Sequence, residues 1–451
     1  MPTIECDRRL NLLSVACLFL AVIMLAFAIR YLVFLIVARR VISTVNAPRL
    51  LSKDLSKPYL SSFSFDDKPH DSQMRRRPLA KKPFISILVA SYNEINVIDR
   101  LMKSFSALTY GFENFQVIVV DDSDDRTLDK LQKWQEDIPN MKVLHRNSRK
   151  GWKGGALNLA IHEMDRRSAY ALVVDADHIV EKDLLEKFVQ YFAKDEKLAA
   201  VQGSPIPSIG AQSGWVYRGI CFRLARRNMI EFVAKEEMEL PLQITGSLFM
   251  IRADVLRRTG FSHDLTEDWD LTLALHLQDH GLSYKRILFH PSLVAYCEAP
   301  SRLYTYFRQR SRISEGHTRG FKKRFSNILK GPLSIKEKIE LFFTGMQYAK
   351  FLLILALLVV TCARLFTDDI IPIGSTLFFV TSLVIQAVAL SIYVGNNIVS
   401  IYMLGSQNFN YKDMLFLAVL NVCTFSAFVV GSLRGLLRQK GTFFKTERSG
   451  K

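Results

Sequence analysis

Four groups of charged residues follow one another through the polar middle of the chain: Asp121-Asp122, Asp175-Ala176-Asp177, Thr266-Glu267-Asp268 and Gln309-Arg310-Ser311-Arg312. These residue types can accept a hydrogen bond from a nucleobase, ligate a divalent cation, take up a proton and neutralise a diphosphate, the four demands of a nucleotide-sugar site. Asp175 and Asp177 follow the apolar run Ala171 to Val174 and are separated by one residue. Carboxylates so placed present hard oxygen ligands to Mg²⁺ or Mn²⁺, whose other positions take diphosphate oxygens. Isolated D-x-D strings are common, so the weight of this one lies in its company.

Asp268 precedes the helical pattern Leu271 to His280, where acids usually act as caps. It also follows Ile244-Thr245-Gly246-Ser247, a stretch small enough to let an acceptor approach. Asp268 is therefore the expected general base of a single displacement, with Thr245, Gly246, Ser247 and Glu267 on the acceptor side. Tyr92 and Glu94, in Ser91-Tyr92-Asn93-Glu94, and Asp122 are the expected nucleotide contacts: a carboxylate accepts a base N–H while the tyrosine ring covers the base. An acidic pair after a strand is on its own more often a turn or cap; the later clusters favour the nucleotide role here.

The loop Arg149 to Asn158, with three glycines and Lys153, opens a helix and suits a phosphate or sugar hydroxyl, or equally a tight connection with solvated lysines. Gln309 and Arg312 share a helical face and can reach a diphosphate together. The basic run continuing through Arg319, Lys322, Lys323 and Arg324 also fits a patch drawn to anionic lipid. The nine histidines show no ligand spacing, and His145, His162 and His276 read as surface or packing residues. The six cysteines are scattered, which gives neither a disulfide framework nor a metal site.

Short β-rich runs must hold these groups: Ile85 to Ala90, Val117 to Val120, Lys142 to Leu144, Ala171 to Val174 and Ala199 to Gln202. They alternate with helical patterns, so the expected fold is α/β with a mostly parallel, doubly wound sheet, whose ligands bind beyond the carboxyl ends of the strands.

Apolar runs flank this region. Asn11 to Ala38, broken only by Arg30, exceeds the roughly 20 residues that span a bilayer. It reads as a membrane anchor over residues 1–40, too long and without the cleavage site of a signal peptide. A basic linker, 41–82, follows, and its Arg75, Arg76, Arg77, Lys81 and Lys82 place the next domain on the cytoplasmic side of the cell membrane. After the domain at 83–325 and an interfacial segment at 326–345, apolar runs at Gln347 to Phe366, Ile371 to Val394 and Met414 to Leu437 give a multi-pass region over 346–451. Three spans would put the basic tail outside, against the positive-inside rule. Either a further crossing lies near Ile398 to Leu404, or one segment is re-entrant, or the tail breaks the rule, and an even count is favoured.

The apolar fraction of 49% and mean hydropathy of +0.11 agree with membrane residence. The net charge of +17 then fits basic membrane flanks. A nucleic-acid partner is not expected, because neither zinc spacing nor an aromatic RNA-binding signature accompanies the charge.

The ordered D, D-x-D, T-E-D and Q-x-x-R groups, with Glu298-Ala299-Pro300-Ser301 before the last, resemble the family 2 glycosyltransferases, in particular the cellulose synthase-like and glucomannan synthase-like membrane enzymes. The resemblance covers about Pro83 to Phe325. It implies a GT-A fold and inverting transfer of a hexose from a cytosolic UDP- or GDP-sugar, with Mg²⁺ or Mn²⁺, to a glycan at the membrane, as in polysaccharide synthesis. By position it implies that Tyr92 and Asp122 hold the base, Asp175 and Asp177 the diphosphate and metal, Asp268 the proton, and Gln309 and Arg312 the leaving group. One position departs: Ile313 stands where the family's last motif ends in tryptophan, which makes a lipid acceptor a second expectation. A noncatalytic membrane scaffold is the third, and it predicts no need for the carboxylates.

Overall fold

The computed structural model describes residues 2–44, 82–207, 214–279, 281–284, 286–366, 373–405, 408–438 and 441. Most of the expected 41–82 linker and most of the basic tail lie outside the described residues.

The chain begins with a long helix, α1 (Pro2–Thr44). Strands and helices then alternate: β1 (Phe84–Ser91), α2 (Ile98–Ser106), β2 (Phe115–Asp121), α3 (Thr127–Asp137), β3 (Met141–His145), α4 (Trp152–His162), β4 (Ser168–Val173), β5 (Ile179–Val180), α5 (Leu184–Lys194) and β6 (Leu198–Pro207). Next, α6 (Trp215–Arg226) passes through a π-helical segment, Arg227–Phe232, into α7 (Val233–Glu237). β7 (Phe249–Arg252), α8 (Ala253–Thr259), α9 (Glu267–His276), β8 (Arg286–Cys297) and α10 (Leu303–Lys330) follow. The chain ends in α11 (Ile335–Gly345), α12 (Lys350–Leu365), α13 (Ile373–Leu404), α14 (Tyr411–Cys423) and α15 (Phe425–Leu437).

One eight-stranded sheet has the order β3-β2-β1-β4-β7-β6-β8-β5. Its first four strands are parallel neighbours, and β6 and β8 form a second parallel pair. β7 runs antiparallel between β4 and β6, and β5 antiparallel to β8. The expected strands all occur, and the sheet is mixed because β7 is reversed. That reversal matters for function. The loop leading into β7, Thr245 to Leu248, arrives at the edge where the parallel strands end.

Alternate residues of the central strands feed two cores, as a sheet covered on both faces requires. Ile85, Ile87 and Val89 of β1 pack with α2 and α5 through Leu101, Phe105 and Phe188. Leu88 and, from β2, Ile118 and Val120 pack on the other face with Leu157 of α4 and Leu275 of α9. Both layers hold the strand ends rigidly while leaving the edge beyond them open.

Two helical stretches are long and apolar enough to cross a membrane, Leu12–Ile42 and Thr376–Leu404. Two bent pairs pass the same test when joined, α11 with α12 at 69° and α14 with α15 at 46°. Residues 398–404 extend α13 as part of the same helix. The expected Met414 to Leu437 run is thus a helix broken at Thr424, whose N–H still bonds to Leu420 O. Arg30 finds partners outside α1: its guanidinium donates to Glu340 at 2.9 and 2.5 Å and to Glu231 at 3.3 Å. Lys235 Nζ pairs with the same carboxylates at 2.9 and 3.2 Å, so the apolar helix is tied to α7 and α11 by paired charges.

α15 lies so close on α10 that a Cβ on Gly431 or Gly435 would meet Ser311 O or Glu315 O at 2.5 Å. Ser314 and Ser432 exchange a hydrogen bond of 2.9 Å in the same contact. The helix that carries Gln309 and Arg312 is thereby fixed by the last apolar helix.

Candidate functional site

β1, β2, β4 and β8 end at one edge of the sheet, and Tyr92, Glu94, Asp122, Asp175, Asp177 and Glu298 follow those ends. The β7 loop supplies Thr245, Gly246 and Ser247, the start of α9 supplies Glu267 and Asp268, and α10 supplies Gln309 and Arg312. All of these, with Lys153, line one cleft of about 420 Å³, a volume ordinary for a small-ligand site. The sequence-predicted residues therefore meet, every one of them in the same cleft.

Lys153 links three of the groups. Its Nζ donates to Asp175 Oδ1 and Gly246 O, each at 2.6 Å, and lies 3.4 Å from Glu267 Oε1. Burial opposes the ammonium, but Asp175 and Glu267 outweigh it and raise the lysine pKa. Asp268 is pushed up to about 7, first by burial and then by the Glu267 charge, against the pull of Lys153 and the Trp269 N–H. That N–H donates to Asp268 Oδ1 at 2.8 Å. Gly246, at φ +86°, lets the other carboxylate oxygen sit close: a Cβ there would lie 3.2 Å from Asp268 Oδ2. A carboxyl near pH 7 can change protonation state during a reaction at neutral pH.

Asp175, Asp177 and His178 offer ligand atoms all within 4.8 Å of one another. His178 Nδ1 lies 3.1 Å from Asp177 Oδ1, and its Nε2 lies 3.4 Å from Ser247 Oγ. Ser247 Oγ also accepts from the Asp175 N–H at 2.8 Å, so this side chain supports the carboxylates. Two carboxylates and an imidazole suit a divalent transition cation and fit the expected metal. The expectation that no histidine has ligand spacing is corrected at His178, which directly follows Asp177; the signal was adjacency to the D-x-D pair.

On the nucleotide side, Asp122 accepts from Arg146 Nε at 2.6 Å and from a second guanidinium nitrogen at 2.5 Å. Arg146 also donates to Lys150 O and Trp152 O, which anchors the glycine-containing loop. Arg149 places its guanidinium 3.4 Å above the Tyr92 ring. Glu94 stays at the cleft wall while its carbonyl accepts from Val97 and Ile98 N–H at the start of α2. Neither arginine carries a sequence signal beyond its place in a basic loop. Gln309 Oε1 accepts from Arg310 at 3.1 Å. Burial lowers the pKa of Arg312, while Glu267, Asp268 and Asp175 pull it back up, so this arginine faces the carboxylate half.

Residues 86–260 match the Glycosyl transferase family 2 profile. The chain is 29% identical over 278 residues to the beta-monoglucosyldiacylglycerol synthase of Synechocystis sp., covering 59% of this chain and 54% of that protein. It is 24% identical over 328 residues to the probable glucomannan 4-beta-mannosyltransferase 10 of Arabidopsis thaliana, covering 68% of this chain and 57% of that protein. The chain thus spans about half the length of these curated relatives. Among solved structures it resembles the mannosyltransferase PcManGT from Pyrobaculum calidifontis in complex with GDP-Man and Mn²⁺, at a TM-score of 0.57 and 17% identity, over 92% of this chain and 100% of that one. That likeness shows a shared GT-A-like fold.

Proposed function

Residues 86–260 form a glycosyl transferase family 2 domain, and from that premise we propose that the protein transfers a hexose from a UDP- or GDP-sugar, with inversion, to a glycan or lipid held at the membrane. The observation that carries this reading is the meeting of Asp268 and the Asp175-Asp177-His178 group in one cleft, where Lys153 pairs with Asp175 and with Glu267, the neighbour of Asp268. In it, Asp268 takes the proton from the acceptor hydroxyl. Gly246 keeps the approach to its carboxylate open, and Thr245, Ser247 and Glu267 border the acceptor. Tyr92, Glu94 and Asp122 receive the base, the last through the Arg146 pair, and Gln309, Arg312 and Lys153 face the diphosphate.

Asp175, Asp177 and His178 would hold the divalent cation, and the imidazole favours Mn²⁺ over Mg²⁺. When bound, the metal neutralises charge on the departing nucleoside diphosphate. The domain lies on the cytoplasmic side, where nucleotide sugars are, between α1 and the C-terminal helices. The similarity to both a diacylglycerol glucoside synthase and glucomannan mannosyltransferases leaves both acceptor classes in the proposal.

The test is release of nucleoside diphosphate by the solubilised protein from a panel of UDP- and GDP-sugars, with Mn²⁺, Mg²⁺ or chelator, and with or without membrane lipid extract. Metal-dependent release with one donor is expected, and the anomeric configuration of the product should be inverted. No release and no nucleotide binding with any donor would overturn the reading in favour of the scaffold.

A further inference from the structure

Three arginines in the helix-built end of the cleft have no part in this donor reading. Arg223 of α6, Arg227 at the start of the π-helical segment and Arg310 of α10 all line the cleft. No described carboxylate forms an ion pair with any of them. Glu231, whose charge Arg227 feels, is already shared by Arg30 and Lys235. Their contacts are neutral: Arg227 Nε donates to Asn228 Oδ1 at 3.1 Å and Arg310 to Gln309 Oε1 at 3.1 Å. The Arg223 and Arg310 guanidiniums lie 5.9 and 4.9 Å from the Tyr306 ring centroid. Arg310 is only 8% exposed, and the Nε atoms of both Arg223 and Arg310 are buried without an acceptor. Burial, then Arg223, lowers the pKa of Arg227 to about 10, and the same two causes lower that of Arg310.

Burying like charges together without an anion is costly, and a ligand that supplies the anion removes that cost. The backbone at this point is unusual as well. Arg223 and Arg227 stand one turn apart, and the helix changes to π winding at Arg227, a feature that recurs at functional sites. Asn228 in that segment is tied to Ser204 of β6 at 2.8 Å, which fixes the turn against the sheet. Arg312, two residues beyond Arg310, faces the acidic residues of the donor half, whereas Arg310 faces Arg223 and Tyr306. α6 packs on α14 and α10 on α15, so the arginines open among the elements that carry the apolar helices.

We propose that Arg223, Arg227 and Arg310 form an anion subsite that takes a phosphate group of the membrane-held acceptor. Guanidiniums converging from two helices match the several oxygens of a phosphate, each able to accept from more than one donor. The role of acceptor rests on the glycosyl-transfer reading; the binding of phosphate does not.

The experiment measures binding of dodecyl phosphate, with dodecanol and inorganic phosphate as comparisons, to the full-length chain in neutral detergent with Mn²⁺ and saturating UDP or GDP. Saturable binding of the ester is expected, with none of dodecanol and at least tenfold weaker binding of inorganic phosphate. R223Q and R310Q should each weaken the ester at least tenfold and change nucleotide affinity less than twofold, while R223K and R310K retain part of the binding and report on folding. Equal losses of nucleotide and ester in the glutamine variants, with the lysine variants keeping both, would assign the arginines to the donor diphosphate and overturn the proposal. So would ester binding unchanged in R223Q/R310Q, or inorganic phosphate binding as well as the ester. A wild-type chain that binds the ester but no nucleotide would instead overturn the transferase reading, leaving the anion subsite standing.

Discussion

The two ends of the cleft carry opposite unbalanced charge. At the donor end, Asp175 and Asp177 beyond β4 and Glu267 and Asp268 at the start of α9 share the cations Lys153 and Arg312, so negative charge is in excess. At the helix-built end, Arg223, Arg227 and Arg310 gather with no described carboxylate in ion-pairing reach. The end of β4 and the start of α9 deliver the first set, because a strand end and a helix start at the same sheet edge can present carboxylates at close spacing. Helices deliver the second, because residues four apart stack on one face. The described side chains leave charge uncompensated at both ends, negative at the first and positive at the second. A donor bound with a metal would complete the first, and a phosphate-bearing acceptor would complete the second.

The strongest way to break this picture is at Asp268. Asp268→Asn keeps the shape of the side chain but removes the proton acceptor, so transfer should fall by about 10²–10⁴-fold while nucleotide binding is retained. Because the folded pKa is about 7, well above that of a solvated carboxyl, the folded state holds a proton that the unfolded chain has lost between roughly pH 4 and 7. Stability contributed at this group therefore falls as pH rises through that window. The asparagine variant should melt higher than wild type at pH 8 and close to it at pH 4. Undiminished transfer would remove Asp268 from the base role, and an unchanged melting temperature at pH 8 would contradict the buried, raised carboxyl.

Much of this end of the cleft was legible from the sequence because its groups are local. A carboxylate one residue beyond an apolar run marks a strand end whatever the rest of the chain does, so Asp122, Asp175 and Asp177 were found with their strands. The helix-built end was less legible: Arg310 stood in the last charged group without a role of its own, while Arg223 and Arg227 look like a solvated basic face, and only tertiary packing takes water away from them. Arg146 was missed for a related reason, since its partner Asp122 lies in a different sheet connection. His178 was visible in principle, next to Asp177. The break at Thr424 contains no proline or glycine to announce it, so hydropathy alone read Met414 to Leu437 as continuous, whereas the bend between α11 and α12 falls at the boundary already read between the interfacial segment and the Gln347 to Phe366 run.

The metal expectation gives the next largest effect. Asp177→Ala should weaken Mn²⁺-dependent nucleotide binding by about ten- to a hundredfold, on the scale of lost metal-site support, and leave metal-free binding nearly unchanged. Calorimetric titration with and without chelator separates the two. If the affinity and its metal dependence both persist, the excess negative charge at the strand ends has some other partner.

Glu267→Gln sharpens the comparison by removing one negative charge without emptying space. Glu267 is the second cause of the raised Asp268 pKa, after burial, so its loss should lower that pKa. Transfer requires the deprotonated form, so the rise of the rate with pH should move to lower pH. A profile that stays in place, or shifts upward, would show that Lys153, no longer shared with Glu267, controls the carboxyl in a different sense from the one argued.

The smallest effect is expected at Arg149, where the guanidinium covers the Tyr92 ring at 3.4 Å. Such a contact is worth about 0.5–1 kcal/mol at a partly exposed site. If a nucleobase takes the place of the guanidinium on that ring face, Arg149→Ala removes a competitor and nucleotide affinity should rise two- to fivefold. If the base instead stacks on the opposite face, the arginine holds the ring in position and the same substitution should weaken binding by a similar factor. Arg149→Lys, which keeps the charge but loses the flat stacking surface, separates the steric effect from attraction to the diphosphate: a lysine variant that behaves like alanine assigns the effect to the ring, and one that behaves like wild type assigns it to charge.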